Sequence, residues 1–227
     1  MGKGKLKKWQ ENATFEHVFE PPLGGIAEGK DFMKGTWHQE VFGNNNPITL
    51  ELGCGKGEYT VELARRYPER NFIGVDIKGH RFWRGAKISK NDGLKNVAFL
   101  RTRIEFIPQF FAPEEVAEIW LTFSDPQPKD EKGSKRLTSA PFLDRYRQIM
   151  PAGSIVNLKT DSPLLYEFSK EVVDNQKLDV ILDSADVYGE LIHRVDEEMK
   201  DVLNIQTFYE KKWLSEGCKI HFLKFRL

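Results

Sequence analysis

Glycines at alternate positions, Gly53, Gly55 and Gly57, separate a largely apolar run, Ile48–Leu52, from an amphipathic stretch, Glu58–Arg66. Glycine reaches positive φ at little cost, and without a Cβ it lets another group approach the backbone closely. A strand, a glycine turn and a helix in that order leave the first N–H groups of the helix unpaired and facing the turn. That arrangement belongs to α/β folds with a parallel sheet. The rest of the chain follows the same rhythm: Phe72–Val75, Val97–Leu100, Glu118–Phe123 and Ile155–Leu158 read as buried strands. Gly79–Lys90, Pro141–Met150 and Pro163–Asp174 read as the helices between and after them. Strand and helix in alternation predict βαβ units. Asp179–Ala185 and Lys219–Arg226 read as two late strands of opposite sense, separated by a long insert.

The spacing of the glycines bears on the ligand. Dinucleotide sites use Gly-x-Gly-x-x-Gly, with the helix start facing a pyrophosphate. Here the spacing is Gly-x-Gly-x-Gly, and Glu51 precedes it. A carboxylate there repels a pyrophosphate and suits a cationic ligand such as S-adenosylmethionine, which carries an amino group and a sulfonium. Asp76, at the end of the next strand, is placed to accept hydrogen bonds from two ribose hydroxyls. The plainer alternative is a tight turn at the glycines with Asp76 capping the following helix. Cys54 reads as a small packing residue, since nothing nearby favours its thiolate.

A second loop, Ser124-Asp125-Pro126-Gln127-Pro128-Lys129, follows the strand that ends at Phe123. Ligands of open α/β sheets bind beyond the carboxyl ends of the strands, so this loop is expected beside the glycine loop. Its prolines stiffen it. Lys129 and the basic residues as far as Arg136 are expected to face outward, where phosphates can be met. A surface turn with solvated charges is the competing reading.

Composition limits the classes available. The chain has 227 residues, enough for one sizeable domain, and 34 basic against 34 acidic residues. Zero net charge argues against a protein that coats nucleic acid without specificity, though local basic clusters exist at Lys3–Lys8 and Lys129–Arg136. No apolar run approaches the roughly 20 residues that span a bilayer. The two cysteines and five histidines suggest no disulfide framework, metal centre or triad, and a reducing, cytoplasmic setting is expected. Trp9, Trp37 and Trp83 can stack on bases or pack in the interior, and packing is the expected role. Residues 1 to 46, with Pro21-Pro22, Gly24-Gly25 and Asn44–Asn46, read as an arm on a single domain spanning 47–227.

Taken together, Leu50–Gly57, Phe123–Lys129 with Lys135-Arg136-Leu137-Thr138, Leu158–Asp161 and Thr207-Phe208-Tyr209-Glu210 resemble the motifs of the bacterial tRNA (guanine-N7)-methyltransferases. The resemblance runs from about Ile48 to the C-terminus. The first motif is shared by many methyltransferases; the others, in order, are specific. The resemblance implies a Rossmann-like adenosylmethionine-dependent fold, a mostly parallel seven-stranded sheet closed by a C-terminal antiparallel hairpin strand. It implies methyl transfer to N7 of a guanosine in tRNA, guanosine-46 of the variable loop, by a monomer or homodimer. It assigns cofactor contacts to Glu51, Gly53, Gly55, Gly57, Asp76, Arg103 and Asp125. Substrate contacts fall to Lys129, Asp161, Thr207, Tyr209 and Glu210, and the catalytic carboxylates are Asp125 and Asp161. Two positions depart from the family pattern. Gln127 replaces a usual tryptophan, and Arg103 replaces the Asp or Asn that holds the adenine amino group. The alternatives are the same fold acting on another substrate, and an RNA-binding relative without catalysis.

Overall fold

The computed structural model describes residues 3–21 and 33–227. The Pro22 and Gly24-Gly25 part of the arm lies outside them. The chain divides into two compact units, one of 1–118 with 148–151, the other of 119–147 with 152–227.

In the first unit α1 (Lys3–Asn12) and the short β1 (Val18–Phe19) precede a π-helical turn, Trp37–Phe42. Then come β2 (Ile48–Leu52), α2 (Glu58–Arg66), β3 (Asn71–Asp76), α3 (Gly79–Asn91) and β4 (Val97–Arg101). A 3-10 turn, Ile104–Gln109, leads to β5 (Val116–Thr122), which begins in this unit and ends in the other. The hydrogen-bonded order is β1-β4-β3-β2-β5. β2, β3 and β4 run parallel, with Glu51 opposite Gly74 and Asp76 opposite Arg101. Every residue of β2 and β3 is buried, as expected for a parallel sheet covered on both faces. The arm is built into this unit. β1 adds a parallel edge pair, Val18 with Phe99 and Phe19 with Leu100. Trp37 is fully buried, donates from Nε1 to the Phe110 carbonyl at 2.8 Å and stacks on Phe111. The buried Glu115 carboxylate accepts from the N–H groups of Gly35, Trp37 and Ala112.

Sequence periodicity misses α1 and β1, because a lysine-rich helix and a two-residue strand carry almost no pattern. α2 ends where expected; Asn96 closes it by donating from Nδ2 to the carbonyls of Ala64, Tyr67 and Arg70.

In the second unit the order is β5-β6-β8-β7. After β5 come a 3-10 turn, Asp130–Lys135, and α4 (Ala140–Arg147). β6 (Ile155–Thr160) and α5 (Pro163–Asn175) lead to β7 (Val180–Ser184). The long insert holds a 3-10 turn, Leu191–His193, then α6 (Glu197–Leu203) and α7 (Phe208–Ser215), before β8 (His221–Arg226). β8 is antiparallel to both β6 and β7, pairing Thr160 with His221 and Ser184 with Phe222. The late strands are therefore of opposite sense, as expected. The described residues hold eight strands, one more than the seven expected, and the extra one is β1.

Candidate active site

The glycine loop is held from both sides of the first unit. Gly53 and Cys54 donate their N–H groups to the Val75 carbonyl at 2.8 and 3.0 Å. All three loop glycines have positive φ: +79° at Gly53, +55° at Gly55 and +71° at Gly57. At Gly57 a Cβ would lie 2.6 Å from Phe99 Cε1, and at Gly85 one would lie 2.8 Å from the Lys56 carbonyl oxygen. The two glycines let α2 start against α3, and Gly85 N–H donates to the Lys56 carbonyl at 3.0 Å. A Cβ on Gly53 would meet nothing within 4 Å, and one on Gly55 only the Gly53 carbonyl at 4.0 Å. The first glycines are thus bare on their outer side, and the last is filled by packing.

Asp76 ends β3 and links this loop to α3. Its Oδ2 accepts from Gly55 N–H at 3.1 Å, and its Oδ1 from Lys78 N–H at 2.8 Å. Burial pushes its carboxyl above the usual carboxylate range, against the pull of those N–H groups and of Arg81 and Lys78. Glu51 is 3% exposed and its Oε2 accepts from both Thr60 N–H and Thr60 Oγ1. It therefore anchors the first turn of α2 beneath the glycines. Cys54 is buried, and desolvation with the nearby Glu51 and Asp76 charges drives its thiol well up. That accords with packing. Arg103 is exposed at the end of β4, and its carbonyl accepts from Phe106 N–H at 3.0 Å.

The remaining candidate residues lie in the second unit. β5 ends in a loop with two non-glycine residues at positive φ, Phe123 at +51° and Gln127 at +45°. Such conformations cost about 1–2 kcal/mol each and cluster where function demands a fixed shape. The strained pair flanks the exposed Asp125, whose Oδ1 accepts from Gln127 N–H at 2.9 Å. Phe123 N–H donates to the Lys159 carbonyl at 2.9 Å, tying this loop to β6.

Arg136 corrects the expectation of an outward basic run. It is 5% exposed and turns inward, donating from Nε to the Pro126 carbonyl at 3.0 Å and from Nη2 to the Gln127 carbonyl at 3.1 Å. Its guanidinium lies 4.4 Å from the centre of the Phe168 ring. Lys129, Lys132 and Lys135 are exposed, and only Arg136 of this run is buried. Prolines at 126 and 128 cannot donate from the backbone, so an inward arginine is the means of gripping this loop by its carbonyls.

Asp161 follows β6 and is half-buried. The helix after it is capped by Ser162, whose Oγ accepts from Leu165 N–H at 3.3 Å, with Pro163 in the first turn. Capping is therefore the task of Ser162, and Asp161 is not the cap. Thr207 caps α7, its Oγ1 accepting from Glu210 N–H at 3.1 Å. Thr207 and Glu210 have the spacing of a capping box, in which the acid would reach back to the cap N–H. Glu210 is instead fully buried, and its Oε1 accepts from Lys159 Nζ and from Tyr188 Oη, each at 2.7 Å. Phe208 and Tyr209 stand out at the start of α7, 54% and 55% exposed, in edge-to-face contact.

Sequence reasoning missed Lys159, Tyr188 and Arg136 as parts of this construction. A lysine directly after the apolar run Ile155–Leu158 was the available signal for the first. Among the described residues no group of histidine, cysteine and acidic side chains is arranged to hold a metal ion, and no helix is long and apolar enough to cross a membrane.

A family model described as "Putative methyltransferase" matches residues 45–223. The chain is 50% identical over 227 residues to a tRNA (guanine-N(7)-)-methyltransferase of Bacteroides thetaiotaomicron, covering all of this chain and 87% of the relative. It is 44% identical to one of Christiangramia forsetii, covering 99% of this chain and 98% of the relative. Among solved structures, the 16S rRNA methyltransferase KamB superposes with a TM-score of 0.60 at 14% identity, over 86% of this chain and 94% of that one. A 16S rRNA (adenine(1408)-N(1))-methyltransferase of Catenulisporales acidiphilia gives 0.56 at 13%, over 91% of both chains. Those likenesses bear on the fold, which is the Rossmann-like fold of such enzymes. By its sequence from end to end, this chain belongs to the tRNA (guanine-N7)-methyltransferase family.

Proposed function

We propose that this chain transfers a methyl group from S-adenosylmethionine to N7 of a guanosine in tRNA, guanosine-46 of the variable loop, in the cytoplasm. The observation that carries the proposal is the 50% identity over the whole chain with a tRNA (guanine-N(7)-)-methyltransferase. In this reading 47–227 is the methyltransferase domain and 1–46 its arm.

The residues of the first unit fit the cofactor. Gly53 and Gly55 offer a bare backbone at the start of a helix, and Asp76 offers a buried carboxylate at a strand end. Asp76 would accept from the ribose hydroxyls, and Arg103 would border the adenine. Glu51 fixes the loop through Thr60 and would supply negative potential to a cationic ligand. When bound, adenosylmethionine supplies an electrophilic methyl group on a sulfonium.

Guanine N7 has a free lone pair at neutral pH, so no base needs to remove a proton before the methyl is accepted. The chain's residues therefore act by orientation and by charge. Holding reactants in line contributes several kcal/mol. As N7 forms its new bond, positive charge spreads over the base, and a fixed carboxylate stabilises it. Asp125 takes that role, held in shape by Gln127 N–H and by the Arg136 grip on the loop. Asp161 accepts from guanine N1–H and the exocyclic amine. Lys129 meets phosphate, and Tyr209 offers a ring to a base or ribose. Thr207 and Glu210 act by setting the start of α7 that presents Tyr209.

The test is transfer of labelled methyl from adenosylmethionine to unmodified tRNA, followed by chain cleavage at 7-methylguanosine. Cleavage in the variable loop is expected. Label at another atom, or in no tRNA, overturns the proposal.

A further inference from the structure

The two helices packed together in the first unit, α1 and α3, concentrate positive charge on a chain that has none in sum. α1 carries Lys5, Lys7 and Lys8 against one acid, Glu11. Lys78 and α3 carry Lys78, Arg81, Arg84, Lys87 and Lys90 with no acid at all. The rest of the chain must therefore be acidic in balance, since the whole is neutral.

Three of the nearby acids are engaged in hydrogen bonds or an ion pair, and Glu16 is exposed. Glu11 accepts from Trp83 Nε1 at 2.7 Å and from Lys87 Nζ at 2.8 Å, bonds that hold its carboxyl below the usual range. Glu20 accepts from Asn12 Nδ2 at 3.2 Å, and Asn12 also donates to the Gly79 carbonyl. Asp92, closing α3, pairs with Arg65. The same contacts that dock α1 on α3 thus neutralise its one acid internally. Lys8 and Lys87 lie over the Trp83 ring at 4.7 and 5.1 Å and complete the seam. Lys5, Lys7, Lys78, Arg81, Arg84 and Lys90 are left exposed. Among the described residues, none of these six carries an ion pair.

We propose that this α1–α3 face is a second contact surface for tRNA, binding its phosphate backbone. The inference rests on the tRNA reading above. Charge complementarity is the argument: six exposed cations, none in an ion pair among the described residues, outnumber the exposed acids nearby, Glu16 and the Arg65-paired Asp92, and fit a polyanion better than a neutral protein partner. A ladder of lysine and arginine without aromatic or amide readers gives affinity and register, not sequence choice. The α1–α3 seam explains why the lysine-rich start of the chain is a helix: it fixes the charges in place.

The test measures binding of an unmodified tRNA transcript across a salt series. The pairs Lys5→Ala with Lys7→Ala and Arg84→Ala with Lys90→Ala are compared with a control pair, Lys177→Ala with Lys219→Ala. Unchanged thermal midpoints establish folding. Each α1–α3 pair is expected to weaken binding about tenfold and to lower the log–log salt slope by about 1 to 2, with the control pair near wild type. Patch pairs that bind like the control overturn the proposal, including the case in which the face serves a protein partner. Methyl transfer is read in the same samples. If wild type binds tRNA but methylates no N7, the functional reading fails, while the salt slopes still decide the surface. If wild type binds no tRNA, both fail.

Discussion

Lys159 Nζ lies 2.7 Å from Glu210 Oε1, with both side chains completely buried. The same ammonium donates to the carbonyls of Leu203 at 2.7 Å and Ile205 at 3.1 Å, and Tyr188 Oη donates to Glu210 at 2.7 Å while lying 3.2 Å from the Leu203 carbonyl oxygen. One buried cation therefore fastens the end of β6, the end of α6 and the start of α7. Burial lowers the Lys159 pKa, and Glu210 opposes that shift.

Breaking this pair from one side leaves a buried charge alone, which costs about 3–5 kcal/mol. Lys159→Met is expected to destabilise by that amount in denaturant unfolding and to raise the KM for tRNA. Adding Glu210→Gln should recover a large part of the stability, because the orphaned carboxylate is gone. A double variant no more stable than Lys159→Met would refute the pairing.

Arg136 gives a second test. Its fork reaches two successive carbonyls and its plane lies on Phe168. Lysine has the charge but neither the fork nor the planar face. Arg136→Lys should therefore release the Pro126–Gln127 backbone, lower kcat on tRNA at least tenfold, and cost about 1–3 kcal/mol of stability. Steady-state kinetics and unfolding checks this; wild-type kcat would show that the loop holds its shape without the clamp.

Gly57 and Gly85 separate two kinds of steric cost. A Cβ at Gly57 strikes Phe99, and its φ of +71° adds about 1–2 kcal/mol. A Cβ at Gly85 strikes the Lys56 carbonyl as well as Phe99. Phe99→Leu introduced into Gly57→Ala should restore stability in part. Introduced into Gly85→Ala it should restore little, since backbone does not yield as a ring does. Equal rescue by thermal unfolding would contradict the geometry.

Much of this was legible in the residues, for reasons that differ from place to place. β2, β3, α2 and α3 could be read within a residue or two because buried strands and amphipathic helices have strong periods. The glycine loop and Asp76 could be read because their backbone demands are local. The arm was opaque: α1 owes its place to Glu11, Trp83 and Asn12, contacts that join residues about 70 positions apart. Arg136 was misread as solvent-facing because a charge run looks the same whether its last member turns in or out. The resemblance assigns Glu210 to the substrate, and motif spacing cannot reveal that its carboxylate pairs with Lys159.

Asp125 is exposed, so its removal tests chemistry with little effect on folding. Asp125→Asn keeps the shape and the ability to accept from Gln127 N–H, but removes the charge. If that charge stabilises the methylated base, kcat falls about 100-fold, while tRNA affinity changes far less. Single-turnover rates with saturating tRNA separate the two. A rate within a factor of two of wild type would remove Asp125 from the chemistry.

Asp76 predicts a pH dependence. Burial raises its carboxyl above the ordinary aspartate range. As pH falls, the folded protein therefore protonates Asp76 before the unfolded chain would. The contribution of this group to stability is thus full below its ordinary pKa and is lost as pH rises through the folded value. Cofactor binding has the opposite sign, because the ribose hydroxyls need an ionised acceptor. The affinity for adenosylmethionine should fall on acidification at a higher pH than an ordinary aspartate would give, while the folded state is still intact. Asp76→Asn should bind weakly at all pH values and lose that acid limb. The comparison is made by calorimetric titration of the cofactor at several pH values, with circular dichroism confirming the fold. An acid limb that persists unchanged in Asp76→Asn would assign it to another group.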